Sequence, residues 1–313
     1  NSWNRYHDYA AITEICKKLA AAHPNLIKLE TIGKSYQGKD LWIMSISDHK
    51  VGNADQKPAM YIDGNIHSNE IQGSEFALYT AWYLVEMYAA NNQTVQSLLA
   101  DKTFYIVPTI NPDARDSFIH KANTAHSPRT GLIPIDNDRD GVDNEDGFDD
   151  LDGDGHITMM RRKNPNGRYK VDPSDSRRMI VVGYDEKGEY EILGSEGIDN
   201  DGDGLVNEDG EGAYDPNRDW GWNWQPNYIQ GGAYKYPFSI PENRAVVDFV
   251  MKHPNIAAAQ SYHNNGGMIL RGPGAQEDLP TYDRADTQVY DIIGRKGESM
   301  IPGYRYLVVY KDL

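Results

Sequence analysis

His67 and Glu70 stand three residues apart in the block Tyr61-Ile62-Asp63-Gly64-Asn65-Ile66-His67-Ser68-Asn69-Glu70, just after a short apolar run. Residues at this spacing in the first turn of a helix share a face, so an imidazole and a carboxylate there could grip one ion. The spacing alone is unspecific, and a solvated strand-to-helix loop is the competing reading. A second piece is Ser261-Tyr262-His263-Asn264, which follows the apolar run Ile256-Ala257-Ala258-Ala259. A histidine at the carboxyl end of a buried strand lies where open α/β sheets place ligands, although a satisfied edge histidine also fits. If both strands end on one rim of a sheet, His67, Glu70 and His263 meet. Two histidines and one glutamate leave the fourth zinc position to water, the arrangement of a catalytic site.

A different chemistry is written between Asp136 and Glu211. Three segments carry Asp at alternate positions before a glycine: Asp136, Asp138 and Asp140 before Gly141; Asp150, Asp152 and Asp154 before Gly155; Asp199, Asp201 and Asp203 before Gly204. Hard cations such as calcium take six to eight oxygens, and this pattern places three carboxylates around a tight turn. None has the bidentate glutamate expected at position twelve; Glu145 and Glu208 come two residues early. The first and third segments belong to a repeat, IDNDRDGVDNEDG against IDNDGDGLVNEDG, with 10 of 13 positions identical. An unstructured acidic surface loop is the alternative. The repeat, the regular spacing and the repulsion among unneutralised carboxylates argue against it.

The elements that must position these residues follow from periodicity. Tyr9 to Ala22, about Ser74 to Ala90, Glu242 to Lys252 and Tyr282 to Met300 read as helices. Leu26 to Ile32, Leu41 to Ile46, Ala59 to Ile62, Thr103 to Val107, Ile256 to Ser261, Met268 to Arg271 and Tyr306 to Tyr310 read as strands. The alternation predicts an α/β fold with helices covering a central sheet. Periodicity fades between residues 130 and 213, which reads as one large Asp/Gly-rich insertion in a single domain spanning 1–313. The net charge of −16 argues against nucleic acid as a partner, because phosphate contacts need a basic face. No apolar run is long enough for a transmembrane segment. The N-terminal Asn1-Ser2-Trp3-Asn4 lacks the charged and apolar regions of a signal peptide. Cys16 is the one cysteine, so no internal disulfide forms, and its helical context predicts a buried apolar role.

With these residues in place the sequence resembles the zinc carboxypeptidase A/B family. YIDGNIHSNE is similar to the block with the first two zinc ligands, VPTINPDARDSF to the segment after the next strand, AYDPNRDW to the Asn-Arg block, and SYHNN to the third-ligand block. The order matches, and the acidic insertion resembles a bacterial branch. The resemblance implies a central mixed sheet flanked by helices and zinc held by His67, Glu70 and His263. It implies Asp215 as the outer carboxylate that orients His67, and Asn217 with Arg218 as the pair holding the terminal carboxylate of a peptide substrate. Within Met160-Arg161-Arg162-Lys163-Asn164 it implies Arg162 as the oxyanion-stabilising arginine, with Arg161 as the fallback. Where the family continues with Asn and an aromatic, this chain has Asp219-Trp220, an extra negative charge near the pocket. The family's general base and substrate-capping tyrosine fall beyond Leu313, and Glu277 and Glu298 come too early to serve. The implied function is zinc-dependent hydrolysis of C-terminal residues from peptides. The alternatives are a zinc amidase or deacylase on the same scaffold, or a calcium-stabilised binding domain without catalysis. Free calcium is abundant outside cells, so the acidic loops favour a secreted, periplasmic or cell-surface protein.

Overall fold

The computed structural model describes residues 3–124, 129–264 and 266–313. Asn1 and Ser2 at the N-terminus and Asn265 of the SYHNN block lie outside the described residues. The chain forms two compact units, Asn1–His263 and Asn264–Leu313.

In the first unit the elements run α1 (Tyr9–Ala22), β1 (Ile27–Lys34), β2 (Asp40–Ile46), β3 (Ala59–Gly64), α2 (Gln72–Ala89), α3 (Gln93–Asp101), β4 (Thr103–Val107) and α4 (Pro112–His120). They continue with β5 (Met159–Lys163), β6 (Tyr169–Asp172), β7 (Asp175–Val181), β8 (Tyr190–Ser195), α5 (Pro241–Lys252) and β9 (Ile256–Tyr262). The central sheet has the order β1-β2-β4-β3-β9. β1, β2 and β4 pair antiparallel, whereas β3 runs parallel to both β4 and β9, so the sheet is mixed as expected. From β3 the chain moves to β4 on one side and later to β9 on the other. That reversal makes a switch point, and the carboxyl ends of β3 and β9 meet there with Asp63 opposite Ser261 and Gly64 opposite Tyr262.

One face of the sheet packs Met44, Ile46, Ile62 and Ile106 against Ile12, Ile15, Cys16 and Leu19 of α1 and Ala77, Leu78, Ala81 and Val85 of α2. The other face packs Ile43, Tyr61, Tyr105 and Val107 against Val246 of α5. Cys16 is fully buried, and burial pushes its thiol up to about 12, so it acts as a small hydrophobe. No helix among the described residues is long and apolar enough to cross a membrane.

α3 and α4 lie outside the helices read from periodicity; Asn92 and Asn111 cap them, accepting Val95 N–H at 3.1 Å and Ala114 N–H at 3.4 Å. The 130–213 segment is not devoid of regular structure: β5 to β8 form their own antiparallel sheet in the order β5-β8-β6-β7. Its strands are exposed or half-buried throughout, so no apolar alternation marked them.

In the second unit β10 (Met268–Arg271) pairs parallel with β11 (Arg305–Val308), and α6 (Arg284–Met300) connects them. The chain then turns into α7 (Val309–Asp312) where the strand was expected to continue to Tyr310.

Glu242, in the first turn of α5, ties that helix to the β1–β2 turn by accepting the Tyr36 N–H at 2.8 Å. Burial pushes its carboxyl up to about 7, and Asp113 and Asp219 add to the effect. A raised carboxyl favours the fold below the unfolded value near 4.5 and loses that advantage as pH rises through about 7. Glu242→Gln, which keeps the acceptor, is expected to stabilise the protein at pH 8 by on the order of 2 kcal/mol and to have little effect at pH 4.5. Denaturant melts of both proteins at the two pH values check this; a pH-independent difference would refute it.

Candidate metal centre

The turn after β3 is built before any metal ligand is considered. Asn65 adopts φ 61°, a left-handed conformation that asparagine tolerates. Its Nδ2 donates to the carbonyls of His67 at 2.7 Å and Ser68 at 3.2 Å. The carbonyl of His67 also accepts Glu70 N–H at 3.1 Å, closing a β-turn. His67 and Glu70 thus share a side because of this turn; α2 begins only at Gln72. That corrects the expectation of a first helical turn.

Beneath the turn lies Arg115 of α4, fully buried. Its Nη1 donates to Asn65 Oδ1 at 3.1 Å and Ile71 O at 2.9 Å, its Nε to His7 O at 2.8 Å, and its Nη2 to Glu75 Oε1 at 2.9 Å. The guanidinium therefore clamps both ends of the 65–71 turn and the first turn of α2. Burial lowers its pKa to about 10, with Glu75 and Asp116 opposing, so it stays charged at neutral pH. Gly64 and Gly73 allow the close crossing at this point: a Cβ on Gly64 would lie 2.5 Å from Gly73 backbone, and one on Gly73 would lie 2.8 Å from Tyr262 O.

On this platform His67, Glu70 and His263 bring ligand atoms within 4.8 Å of one another. His67 Nδ1 is 3.1 Å from Glu70 Oε1, His263 Nδ1 is 2.6 Å from Glu70 Oε2, and the two rings lie 4.9 Å apart. His67 Nδ1 is buried with no hydrogen-bond partner, while its Nε2 meets Asp215 Oδ1 at 2.9 Å. Burial alone would lower the pKa of His67, but the Asp215 and Glu70 carboxylates raise it. Burial would raise Glu70, yet the two imidazoles hold it far below the usual carboxylate range. Asp215 is likewise held down against burial by His67. Two imidazole nitrogens and a carboxylate converging this way, with a carboxylate behind the first ring, fit a tetrahedral N/O site for zinc.

Arg129 also reaches this cluster, and sequence reasoning had not singled it out. Its Nη1 lies 2.8 Å from Glu70 Oε1 and its Nη2 3.7 Å from Asp215 Oδ2. Its neighbours hold it in place: Thr130 O accepts Asn111 Nδ2 at 2.9 Å, and Gly131 packs so tightly that a Cβ would lie 2.0 Å from the Tyr214 hydroxyl. Arg162, by contrast, sits on the exposed strand β5, where its Nε donates to Glu191 Oε1 at 2.6 Å. Arg161 of the same strand stacks over Tyr190, 5.0 Å from the ring centre. Among the described residues, none of their bonds reaches His67, Glu70 or His263. The structure therefore brings Arg129, not Arg162 or Arg161, to the cluster.

Asn217 and Arg218 follow Asp215 in a single 3₁₀ turn. Asn217 N–H donates to Asp215 Oδ1 at 2.7 Å, its Oδ1 accepts Trp220 Nε1 at 2.9 Å, and Arg218 Nη1 donates to Asn217 O at 3.0 Å. Asp219, the departure from the expected pattern, is fully buried and points the other way. It accepts Ser239 N–H, Ser239 Oγ–H and Ile240 N–H at 3.1, 2.8 and 3.0 Å, just before α5. Burial raises its pKa against the hydrogen bonds from Ile240 and Ser239.

The family model described as zinc carboxypeptidase matches residues 12–312. The chain belongs to the zinc carboxypeptidase family. Among curated relatives, carboxypeptidase B of Astacus astacus is 37% identical over 111 residues, 36% of this chain and 34% of that protein. A zinc carboxypeptidase of Saccharothrix mutabilis subsp. capreolus is 30% identical over 113 residues, 36% of this chain and 26% of that protein. The matched stretches thus span about a third or less of these two relatives. The crystal structure of carboxypeptidase A from Helicoverpa armigera shares the fold at TM-score 0.58 and 18% identity, covering 98% of this chain and 58% of that one. Bovine thrombin-activatable fibrinolysis inhibitor, solved with a tick carboxypeptidase inhibitor, does so at TM-score 0.57 and 19% identity, covering 98% and 76%. The expected mixed α/β carboxypeptidase fold is borne out.

Replacing Arg115 tests the platform. A lysine offers one compact charge and cannot reach four acceptors lying in different directions. Arg115→Lys is expected to cost about 3 kcal/mol or more, in the range of a broken buried ion pair. Urea denaturation measures it, and a loss under 1 kcal/mol would show that the guanidinium does not hold the turn.

Proposed function

We propose that this chain carries the metal and carboxylate sites of a zinc carboxypeptidase that removes C-terminal residues from peptides. The observation that carries this reading is the convergence of His67, Glu70 and His263 with Asp215 behind His67. Family membership through residues 12–312 supports it and supports treating 1–313 as one catalytic domain. Zinc in such a site polarises the scissile carbonyl and lowers the pKa of a bound water.

The residues take the following roles. Asp215 accepts the Nε2 proton of His67 and so turns the Nδ1 lone pair toward the metal. Arg129, beside Glu70, supplies the fixed positive charge that a tetrahedral oxyanion needs, in place of Arg162. Arg218 and Asn217 bind the free carboxylate of the substrate, the guanidinium with a fork of N–H groups and the amide with its Nδ2. The 3₁₀ turn that Asp215 caps and that carries both residues supports this reading. The acidic segment binds calcium in this reading, which favours a secreted, periplasmic or cell-surface location because free calcium is abundant there. A terminal carboxylate as the recognised group favours carboxypeptidase over amidase or deacylase activity.

Purified protein is expected to hold about one zinc per chain, and His67→Ala or His263→Ala to lower that content sharply, while Arg162→Ala leaves it unchanged. Elemental analysis decides; full retention in both histidine variants would remove the site. In the native enzyme, Arg218→Ala is expected to slow hydrolysis of peptides with free C-termini far more than of C-terminally amidated ones. Arg129→Ala is expected to lower kcat on both by about 100- to 1,000-fold. Equal losses in Arg218→Ala on the two substrates would make that residue structural and favour the amidase reading.

A further inference from the structure

The two copies of the 13-residue repeat are paired. Asp209 N–H donates to Asp146 O at 3.2 Å in an antiparallel bridge, and the neighbouring Gly147 and Gly210 lie side by side, a Cβ on either falling in ordinary contact 3.7 Å from the other's Cα. These residues occupy equivalent places in the two copies, 63 positions apart. The copies also share their backbone form: Asn144 and Asn207, Arg139 and Gly202, and Gly141 and Gly204 all have positive φ. An approximate two-fold relation therefore passes through the bridge.

Carboxylates cluster across that relation. Asp136 and Asp138 of the first copy group with Asp209 of the second, and Asp199 and Asp201 of the second group with Asp146 of the first. Adding 63 to Asp136 and Asp138 gives Asp199 and Asp201, and subtracting it from Asp209 gives Asp146, so the two groups are equivalents of each other. A further group joins Asp138, Asp140 and Glu145 with Asp201. Asp146 is fully buried, and its Oδ2 has no hydrogen-bond partner while its Oδ1 accepts Asn200 Nδ2 at 3.2 Å. Both carboxylate oxygens of Glu145 and of Glu208 are buried without donors as well. Glu145 faces Asp209, and Glu208 faces Asp146. A buried carboxylate oxygen left without a donor and beside other carboxylates costs several kcal/mol unless a cation joins it. Asp209 accepts Asn137 N–H at 3.1 Å and Asn144 N–H at 2.8 Å, one on each oxygen, and the buried Glu196 of the third acidic loop takes N–H donors from Leu151, Asp152 and Thr158, so the donor-free buried oxygens lie on Asp146, Glu145 and Glu208.

We infer that the repeat forms a reciprocal pair of sites for hard divalent cations of the calcium class, each loop completed by a buried aspartate from the other copy. Asp209 completes the loop of Asp136 and Asp138, and Asp146 completes the loop of Asp199 and Asp201. The all-oxygen donor set selects calcium over zinc. The inference rests on reading the acidic segment as calcium-binding, and it adds which residues hold which ion.

The test titrates calcium chloride into calcium-depleted protein whose zinc content has been verified, followed by calorimetry. The wild type is expected to take up two calcium ions in the repeat. Asp146→Asn is expected to weaken by at least tenfold the site that Asp199→Asn weakens, with the double variant no worse than either alone, and to spare the site that Asp136→Asn weakens. Asp201→Asn changes an exposed residue of the second loop, away from core packing, and is expected to weaken the site that Asp146→Asn weakens. If Asp146→Asn acts on the site of Asp136, or spares the site that Asp201→Asn weakens, reciprocity is overturned while calcium binding stands. If zinc is retained and no calcium binds, the calcium reading falls and the inference with it.

Discussion

The Arg115 guanidinium is the contact on which the rest of the site depends. Four acceptors from separate parts of the chain converge on it: Asn65, Ile71, Glu75 and the backbone of His7. A charge this deeply buried persists only when its N–H groups are satisfied and a carboxylate balances it. That demand fixes the N-terminal segment, the turn after β3, and the start of α2 against α4. The imidazole of His67 inherits its position from this arrangement, because Asn65 holds the turn from one side and Arg115 holds Asn65. The same asparagine oxygen accepts Thr109 Oγ at 3.2 Å, which links the turn to the segment after β4.

Much of this was legible from strand ends. β3 is a mostly buried apolar run, whereas β9, expected to be buried, is the half-buried to exposed edge strand of the sheet; their parallel pairing still brings the chain toward His67 and His263 at the same end. Asp215 lies with its Oδ1 2.9 Å from His67 Nε2. What was not legible has physical causes. Arg129 lies in a stretch without periodicity, and its place depends on Asn111 and Tyr214, contacts distant in sequence. Arg162 had the right neighbours in sequence, but its strand pairs with β8 and its charge is taken up by Glu191. The strands β5 to β8 bury little, so they left no alternating pattern. Asp219 read as an unwanted charge because sequence shows a residue's type and not its direction.

The cluster around Glu70 shows how one carboxylate can serve several partners. Its two oxygens face both histidines and Arg129, and these positive or protonatable groups outweigh the cost of burial. Asn217 and Arg218 follow Asp215 in one 3₁₀ turn, so the carboxylate behind His67 and these two side chains are set by the same chain segment.

The bridge between Asp146 and Asp209 also defines a closed ring of chain. Everything between them, including the sheet of β5 to β8, is held at that bridge and at a second one, where Asn123 pairs with His156 and accepts Ile157 N–H at 2.9 Å. Closing a ring of this length costs entropy that rises only slowly with its size. A protease cut at an exposed turn of this sheet therefore leaves both stubs held at these bridges, with the turn around His67 untouched.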